Sequence, residues 1–268
     1  VVAVTTAALT FTVDTGAKPV SGSTVVGGRI TQHKGQRAMI PVPIANGRDL
    51  GATDLDREGF RLVSHASAVQ DLYDEDALHR VYYPEIETLI AGLSGATRVV
   101  VFDHTLRHGS EDEQEKRHLR EPVRIVHNDY TDWSGPQRVR DLYPDEADRL
   151  LAGRMAIIQA WRPIVGPLQR DPLAICDARS LGPDDLIAAE RRHEDRIGEI
   201  YHVAHRATQR WYYFPEMTRE EVLIFKCFDS LCDGRARFTA HGSFEDPNSP
   251  PNAPPRESIE IRTFAFFD

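Results

Sequence analysis

Val123-Arg124-Ile125-Val126-His127-Asn128-Asp129 reads as a short apolar strand that ends in a histidine and an aspartate. Side chains at i and i+2 of a strand share a face. His127 and Asp129 therefore project together, on the side that Val123 and Ile125 also occupy. One imidazole nitrogen and one carboxylate oxygen are two thirds of a facial triad, which holds iron(II) from one side and leaves positions open on the other. The bland alternative is a strand end making local hydrogen bonds, and His-x-Asp by itself does not choose between them.

What surrounds this stretch is mainly strand. Downstream, residues 155–161, 173–177, 198–202, 210–214, 222–228, 236–244 and 258–267 all carry strand patterning, after a helical stretch at 136–151 divided at Pro144. Many short strands separated by turn signals predict a sandwich or barrel. The βαβ alternation of a parallel sheet is absent, as are Gly-x-Gly-x-x-Gly and P-loop sequences. Upstream, residues 9–13 alternate like a strand and residues 99–102 read as a buried one. Leu78, Val81, Tyr82, Ile86 and Leu89 mark one face of a helix over 74–93, kinked at Pro84 and stopped at Gly95. The Gly/Ser/Thr-rich stretch 21–35 and the charged run 111–120 are expected to be surface loops. Five prolines in residues 246–255 exclude helix and central strand, so this segment is a stiff connection between two strands.

Composition narrows the class. The 268 residues are 41% apolar, enough for a sizeable core in one domain. With 32 basic and 41 acidic residues the net charge is −9, unsuited to gripping a phosphate backbone. No apolar run is long enough to cross a membrane as a helix. Cys176, Cys227 and Cys232 form no Cys-x-x-Cys pair, which excludes a disulfide framework and a structural zinc site. A reduced, cytoplasmic enzyme is expected. Val1 is not an initiator methionine, so the sequence is expected to begin inside a longer chain, and its opening lacks the basic leader of a secretory signal.

A facial triad needs a second histidine from a distant strand, and His241 supplies one, 112 residues after Asp129. Fifteen residues further on stand Arg256-Glu257-Ser258. Arg256 and Ser258 share one face of a strand whose other face carries Ile259 and Ile261. Such a strand suits a barrel wall, apolar beneath covering helices and polar toward the lumen. A buried arginine needs an anion. Its planar guanidinium grips a carboxylate with two parallel hydrogen bonds, and a serine hydroxyl adds a third. The distal carboxylate of 2-oxoglutarate is an anion of that kind. Arg262, six residues along on the same face, is the competing anchor; Arg256 is preferred because only it has the serine partner.

Taken in order, these pieces resemble iron(II)/2-oxoglutarate oxygenases with a double-stranded β-helix fold. The resemblance extends to Val101-Phe102-Asp103-His104-Thr105-Leu106-Arg107, His127-Asn128-Asp129-Tyr130-Thr131, Trp161-Arg162-Pro163-Ile164, Cys176-Asp177-Ala178-Arg179-Ser180, Trp211-Tyr212-Tyr213-Phe214-Pro215, Phe225-Lys226-Cys227-Phe228-Asp229-Ser230 and Pro255-Arg256-Glu257-Ser258-Ile259-Glu260-Ile261-Arg262, across about residues 55–265. These segments are similar to a gibberellin-desaturase-like group of bacterial and fungal secondary metabolism, which includes a cephamycin methoxylation component and endoperoxide- and aziridine-forming enzymes.

The resemblance implies a mainly β fold, a double-stranded β-helix (jelly roll, cupin-like) with flanking α-helices. It implies His127, Asp129 and His241 as iron ligands and Arg256 with Ser258 as the 2-oxoglutarate anchor. It also implies Fe(II), 2-oxoglutarate and O2 as the reacting set. The activity implied is oxidation of an unactivated C–H bond, ending in hydroxylation, desaturation or oxidative cyclisation. In that group the arginine often follows the second histidine by about ten residues, and the proline-rich segment accounts for the longer gap here. Gln159 is a departure, since an asparagine often stands at that position; it is expected near 2-oxoglutarate.

Tyr130, Trp161, Arg162, Trp211 and Tyr213 are the expected substrate contacts. The expected organisation is one domain over residues 1–268, an N-terminal α/β flank at 1–120 and a jelly-roll core with the metal site at 121–268. The expected partners are a small-molecule substrate and a second copy in a homodimer, with neither nucleic acid nor membrane. Two alternatives stand beside the main reading: an iron oxygenase that does not use 2-oxoglutarate, which Arg256 and Ser258 argue against, and a non-catalytic jelly-roll partner subunit, which the full triad argues against. His104 with His108 and His202 with His205 are not expected to bind metal, and Lys226 and Asp229 read equally as an ion pair or as site residues.

Overall fold

A computed structural model describes residues 4–22, 34–192 and 196–267. Its strands form two facing sheets. The larger contains β1 (Val4–Val13), β2 (Val20–Gly22), β3 (Gln36–Asn46), β6 (His127–Asn128), β8 (Leu173–Cys176), β9 (Leu186–Arg192), β10 (Ile197–Val203), β11 (Trp211–Tyr213) and β13 (His241–Ser243). Their order is β1-β3-β11-β8-β13-β6-β10-β9-β2. The smaller contains β4 (Phe60–Ser64), β5 (Arg98–His108), β7 (Met155–Pro163), β12 (Glu221–Asp229) and β14 (Glu257–Phe266), in the order β4-β12-β7-β14-β5. The architecture is the expected double-stranded β-helix with flanking helices.

Alternation along the central strands shows why the sheets stack. Every residue of β7 is buried, because both of its faces are covered. Met155, Ile157 and Trp161 enter the cluster between the sheets, with Phe225 and Phe264 from neighbouring strands and Leu173 and Ile175 from the opposite sheet. Ala156, Ile158 and Ala160 face the other way. With Ile259 and Ile261 they pack under Leu78, Tyr82, Ile86 and Ile90. Those four belong to a π-helical turn (Leu78–Tyr82) and the helix Tyr83–Ser94. Gly95 ends that helix in the left-handed conformation, φ 73°, as its position predicted. Pro84 lies directly after the π-helical turn, in a helical run that is continuous from Glu75 to Ser94, so the irregular turn falls just before the residue that has no N–H to donate.

Several local expectations are corrected. Residues 111–120 are not loop throughout, since Glu111–Arg117 is a helix with acids in its first turn and bases in its last, as the helix dipole favours. Within 236–244 only His241–Ser243 joins a ladder, and within 123–129 only His127–Asn128 does. Ile125 makes a single bridge to Thr10. Of the stretch 21–35, residues 23–33 lie outside the described residues.

Residue 120 does not separate a flank from a core in the sheets. β1 and β3 extend the larger sheet, and β4 and β5 edge the smaller one. Leu9, Phe11 and Ile44 pack on Val126, Cys176 and Trp211 to form a third cluster, on the face of the larger sheet away from the smaller. Pairings across more than a hundred residues leave no trace in local periodicity, which is why the partition was invisible in sequence.

Candidate metal centre

β6 is flanked by β13 and β10, and the register sets His127 opposite both His241 and His202. The His127 and His241 rings lie 4.5 Å apart, centroid to centroid. Each ring is tied by Nδ1 to a carbonyl two residues earlier: His127 to Ile125 O at 2.7 Å, His241 to Thr239 O at 3.0 Å. A proton held at Nδ1 leaves Nε2 with a lone pair, the state a metal requires. Burial, and then the neighbouring His127, push His241 down to about 4, so it is neutral at physiological pH. Asp129 Oδ1 stands 3.3 Å from His127 Nε2. One ligand atom from each of His127, Asp129 and His241 lies within 4.8 Å of the others. Among the described residues this is the one His/Cys/Asp/Glu cluster with such spacing.

Asn128, between His127 and Asp129, points away from them and staples the loop. Its Nδ2 donates to Tyr130 O at 2.7 Å and to Cys227 O at 2.8 Å, and its Oδ1 accepts from Thr239 N–H at 3.1 Å. Because Thr239 O also holds His241, Asn128 couples the segments that carry His127 and His241. Burial would raise the Asp129 carboxyl, but the charge of Arg262 and the His127 contact hold it well below its usual range. Every nitrogen of Arg262 is engaged: Nε to Asp129 at 3.0 Å, Nη1 to Asp103 and Thr105 at 3.0 and 3.1 Å, and Nη2 to Glu260 at 2.6 Å.

Arg256 has the opposite environment. It is 2% exposed, lies 5.5 Å over the Trp161 ring, and makes one hydrogen bond, Nη1 to Asp171 O at 2.9 Å. No carboxylate within 4 Å neutralises it among the described residues, and burial, reinforced by Arg107, pulls its guanidinium down to about 9. Its Nε, Ser258 Oγ, Gln159 Nε2 and Ser243 Oγ are buried without hydrogen-bond partners. Buried polar groups are seldom left so, which marks this as a place for a polar ligand. Register ties these groups to the lumen: Gln159 is opposite Arg262, and Ser243 follows His241 by two.

The comparisons bear on this geometry. A family model described as "Oxidoreductase/YMDC permease-like domain" matches residues 9–266. The Fe(II)/2-oxoglutarate-dependent dioxygenase nvfI of Aspergillus novofumigatus is 34% identical over 220 residues, 80% of this chain and 78% of that protein. The hydroxylase/desaturase efuI of Hormonema carpetanum is 32% identical over 81% of this chain and 80% of its own. A solved structure of the iron and alpha-ketoglutarate-dependent endoperoxidase NvfI superposes with a TM-score of 0.88 at 29% identity, covering 98% of each chain.

The chain belongs to the iron(II)/2-oxoglutarate-dependent oxygenase family. Its reacting set is that of the family: ferrous iron, 2-oxoglutarate and dioxygen. No helix among the described residues of this oxygenase is long and apolar enough to cross a membrane.

The expected substrate contacts separate into two groups. Tyr130 borders the cavity that also reaches Asp129 and Arg262, and Trp161 lies inside the barrel beneath Arg256. Arg162, Trp211 and Tyr213 do not join them. Arg162 is on the opposite face of β7, buried against Tyr82 at 5.1 Å and bonded to His65 Nδ1 at 2.8 Å. Trp211 and Tyr213 belong to the outer cluster, Trp211 edge-on to Phe11 at 5.8 Å. Tyr212, between them, faces inward. Alternation correctly paired Trp211 with Tyr213, but it cannot say which face is the lumen.

Other residues resolve plainly. Lys226 and Asp229 form a buried ion pair at 2.8 Å that Arg154 and Asp56 extend. His104 is bonded through Nδ1 to Tyr83 Oη at 2.5 Å. His202 points inward beside His127, whereas His205, beyond the end of β10, packs on Phe11 in the outer layer. Ser243 and Asn128 were missed as site residues. The signal for Ser243 was its i+2 spacing from His241; Asn128 had none, because its partners are backbone atoms brought together by the fold.

Proposed function

We propose that His127, Asp129 and His241 hold ferrous iron, that Arg256 and Ser258 anchor the distal carboxylate of 2-oxoglutarate, and that the oxygenase oxidises an unactivated C–H bond of a small molecule. The observation that carries this reading is the buried, un-neutralised Arg256 among unpartnered polar atoms, inside the same barrel as the two histidines and the aspartate. Iron bound there supplies the activation of dioxygen, driven by decarboxylation of 2-oxoglutarate to succinate and CO2.

The chain does the rest. Arg256 offers its fork of donors to a carboxylate, and the Ser258 hydroxyl adds one more. Gln159 presents amide N–H groups beside them, with its Oε1 accepting from the Cys227 thiol at 3.7 Å. Arg262 keeps Asp129 ionised and oriented, and the two carbonyls behind the histidines keep both rings in ligand form. The apolar cluster between the sheets excludes water, which strengthens each of these interactions. Hydroxylation, desaturation or cyclisation then depends on which substrate atom is presented to the open side of the site. The same reading places the enzyme in the cytoplasm as one domain and a homodimer. Its cysteines are free, as reducing conditions require; light scattering tests the dimer.

Anaerobic iron(II) titration tests the function. One ferrous ion should bind per chain, and added 2-oxoglutarate should produce a visible charge-transfer band. Substrate-stimulated succinate release should follow on admitting oxygen. Iron binding without a 2-oxoglutarate band would indicate the co-substrate-independent alternative, and no stoichiometric iron would indicate a non-catalytic subunit.

A further inference from the structure

Beside the metal cluster the barrel opens into a cavity of about 300 Å³ bordered by Asp129, Tyr130 and Arg262. Its charges are unevenly satisfied. Every carboxylate on its wall already has a partner: Asp103 and Asp129 bond Arg262, Asp141 accepts from Gln137 Nε2 at 2.8 Å, and Glu199 is held by Lys18 and by Thr131 Oγ1. Arg120, Arg138, Arg191 and Arg196 line the same wall, and none makes a hydrogen bond or ion pair with a carboxylate among the described residues. Arg138 has only the face of Phe102, at 5.9 Å. On the inner face of β10, next to His127, the buried His202 keeps Nδ1 without a partner.

In a chain of net charge −9, a cavity in which three of four acids are paired with a cation while four of five arginines have no carboxylate is selective for anions. We infer that the substrate carries an acid group, which Arg120 and Arg191 receive at the cavity mouth while its apolar body reaches toward the iron ligands. This rests on the function proposed above and specifies its substrate class. A free carboxylate meets a guanidinium through charge-assisted hydrogen bonds, and the corresponding methyl ester cannot. Arg120 and Arg191 are exposed, so salt screens the attraction.

Trp133 lines the same cavity and is 48% exposed, which makes its fluorescence a local reporter. The full chain is titrated, metal-free and again with iron(II) and 2-oxoglutarate under anaerobic conditions. The probes are N-acetylphenylalanine, 4-phenylbutyric acid and geranic acid, each beside its methyl ester. At least one acid should bind about tenfold or more tighter than its ester. That preference should shrink as salt rises from about 0.05 to 0.5 M. Arg191→Gln should abolish it, and Arg191→Lys should retain part of it. Equal binding of every acid and ester, no binding by any acid, or a preference untouched by Arg191→Gln overturns the inference. Absence of the 2-oxoglutarate band would instead strike the proposed function, and the metal-free titration still decides the acid preference.

Discussion

Arg256 and Arg262 stand six residues apart, both buried, both turned into the barrel, yet their surroundings are opposite. Arg262 is saturated by three carboxylates and a threonine, and those charges, outweighing burial, raise its guanidinium well above its ordinary value. Arg256 has one backbone carbonyl, and burial lowers it. A buried cation with all its bonds made inside the protein is part of the frame. One left unmatched among unpartnered polar atoms suits the carboxylate proposed for it. The contrast favours Arg256 over Arg262 as the proposed carboxylate anchor, because all three nitrogens of Arg262 are already bonded within the protein and its charge is already matched.

The sharpest break lies in the frame's central charge. Asp129→Ala and His127→Ala should each abolish stoichiometric iron binding and turnover, read by anaerobic titration and succinate release; retained activity would dismantle the triad.

Next is Arg262→Met, which strips buried Asp129 of its arginine partner and leaves Glu260 with Arg107 alone. Breaking a buried network in this way costs about 3–5 kcal/mol of stability, measurable by urea unfolding. Arg256→Met removes a cation with no counter-charge and should leave the unfolding midpoint little changed. It should weaken 2-oxoglutarate binding ten- to a hundredfold, from the loss of charge-assisted bonds of about 1.5–3 kcal/mol. If the two variants exchanged these phenotypes, the comparison would be reversed.

Acid sharpens the contrast further. Burial raises Glu260, but Arg107 and Arg262 outweigh it and bring the group to about 2, against an ordinary 4.5. A depressed carboxyl contributes stability that is full above its unfolded value and lost as pH falls toward its folded one. Glu260→Gln should therefore be less stable than wild type at pH 7, and the gap should close between about pH 4.5 and 2, followed by urea unfolding at successive pH values.

The smallest effect belongs to the outer layer. Trp211→Phe should lower stability by about 1 kcal/mol while leaving the KM for 2-oxoglutarate unchanged, since Trp211 packs on Phe11 rather than toward the lumen.

The stretch around His127 was legible because period-2 alternation is local: residues two apart on extended backbone share a face, even where, as at Asp129, the ladder itself has ended. That placed His127 with Asp129 and Arg256 with Ser258, and the i+2 step from His241 would have reached Ser243. The same reasoning set Ile259 and Ile261 against the covering helices. It failed for Trp211 and Tyr213, where the face was right in parity and wrong in direction; Arg162, adjacent to Trp161 on β7, faces the opposite way, as alternation requires.

From the chain alone came the strand-rich character, the division of the segment 136–151 at Pro144, the stop at Gly95 and the order of the chemistry-bearing side chains, all of which follow from bonded geometry over a few residues. Tertiary structure alone decided which face is the lumen, how β1, β3, β4 and β5 complete the two sheets, and which of two arginines keeps free donors. Those outcomes depend on pairings between residues more than a hundred apart, and on whether a buried charge finds its counter-charge, which no local pattern encodes.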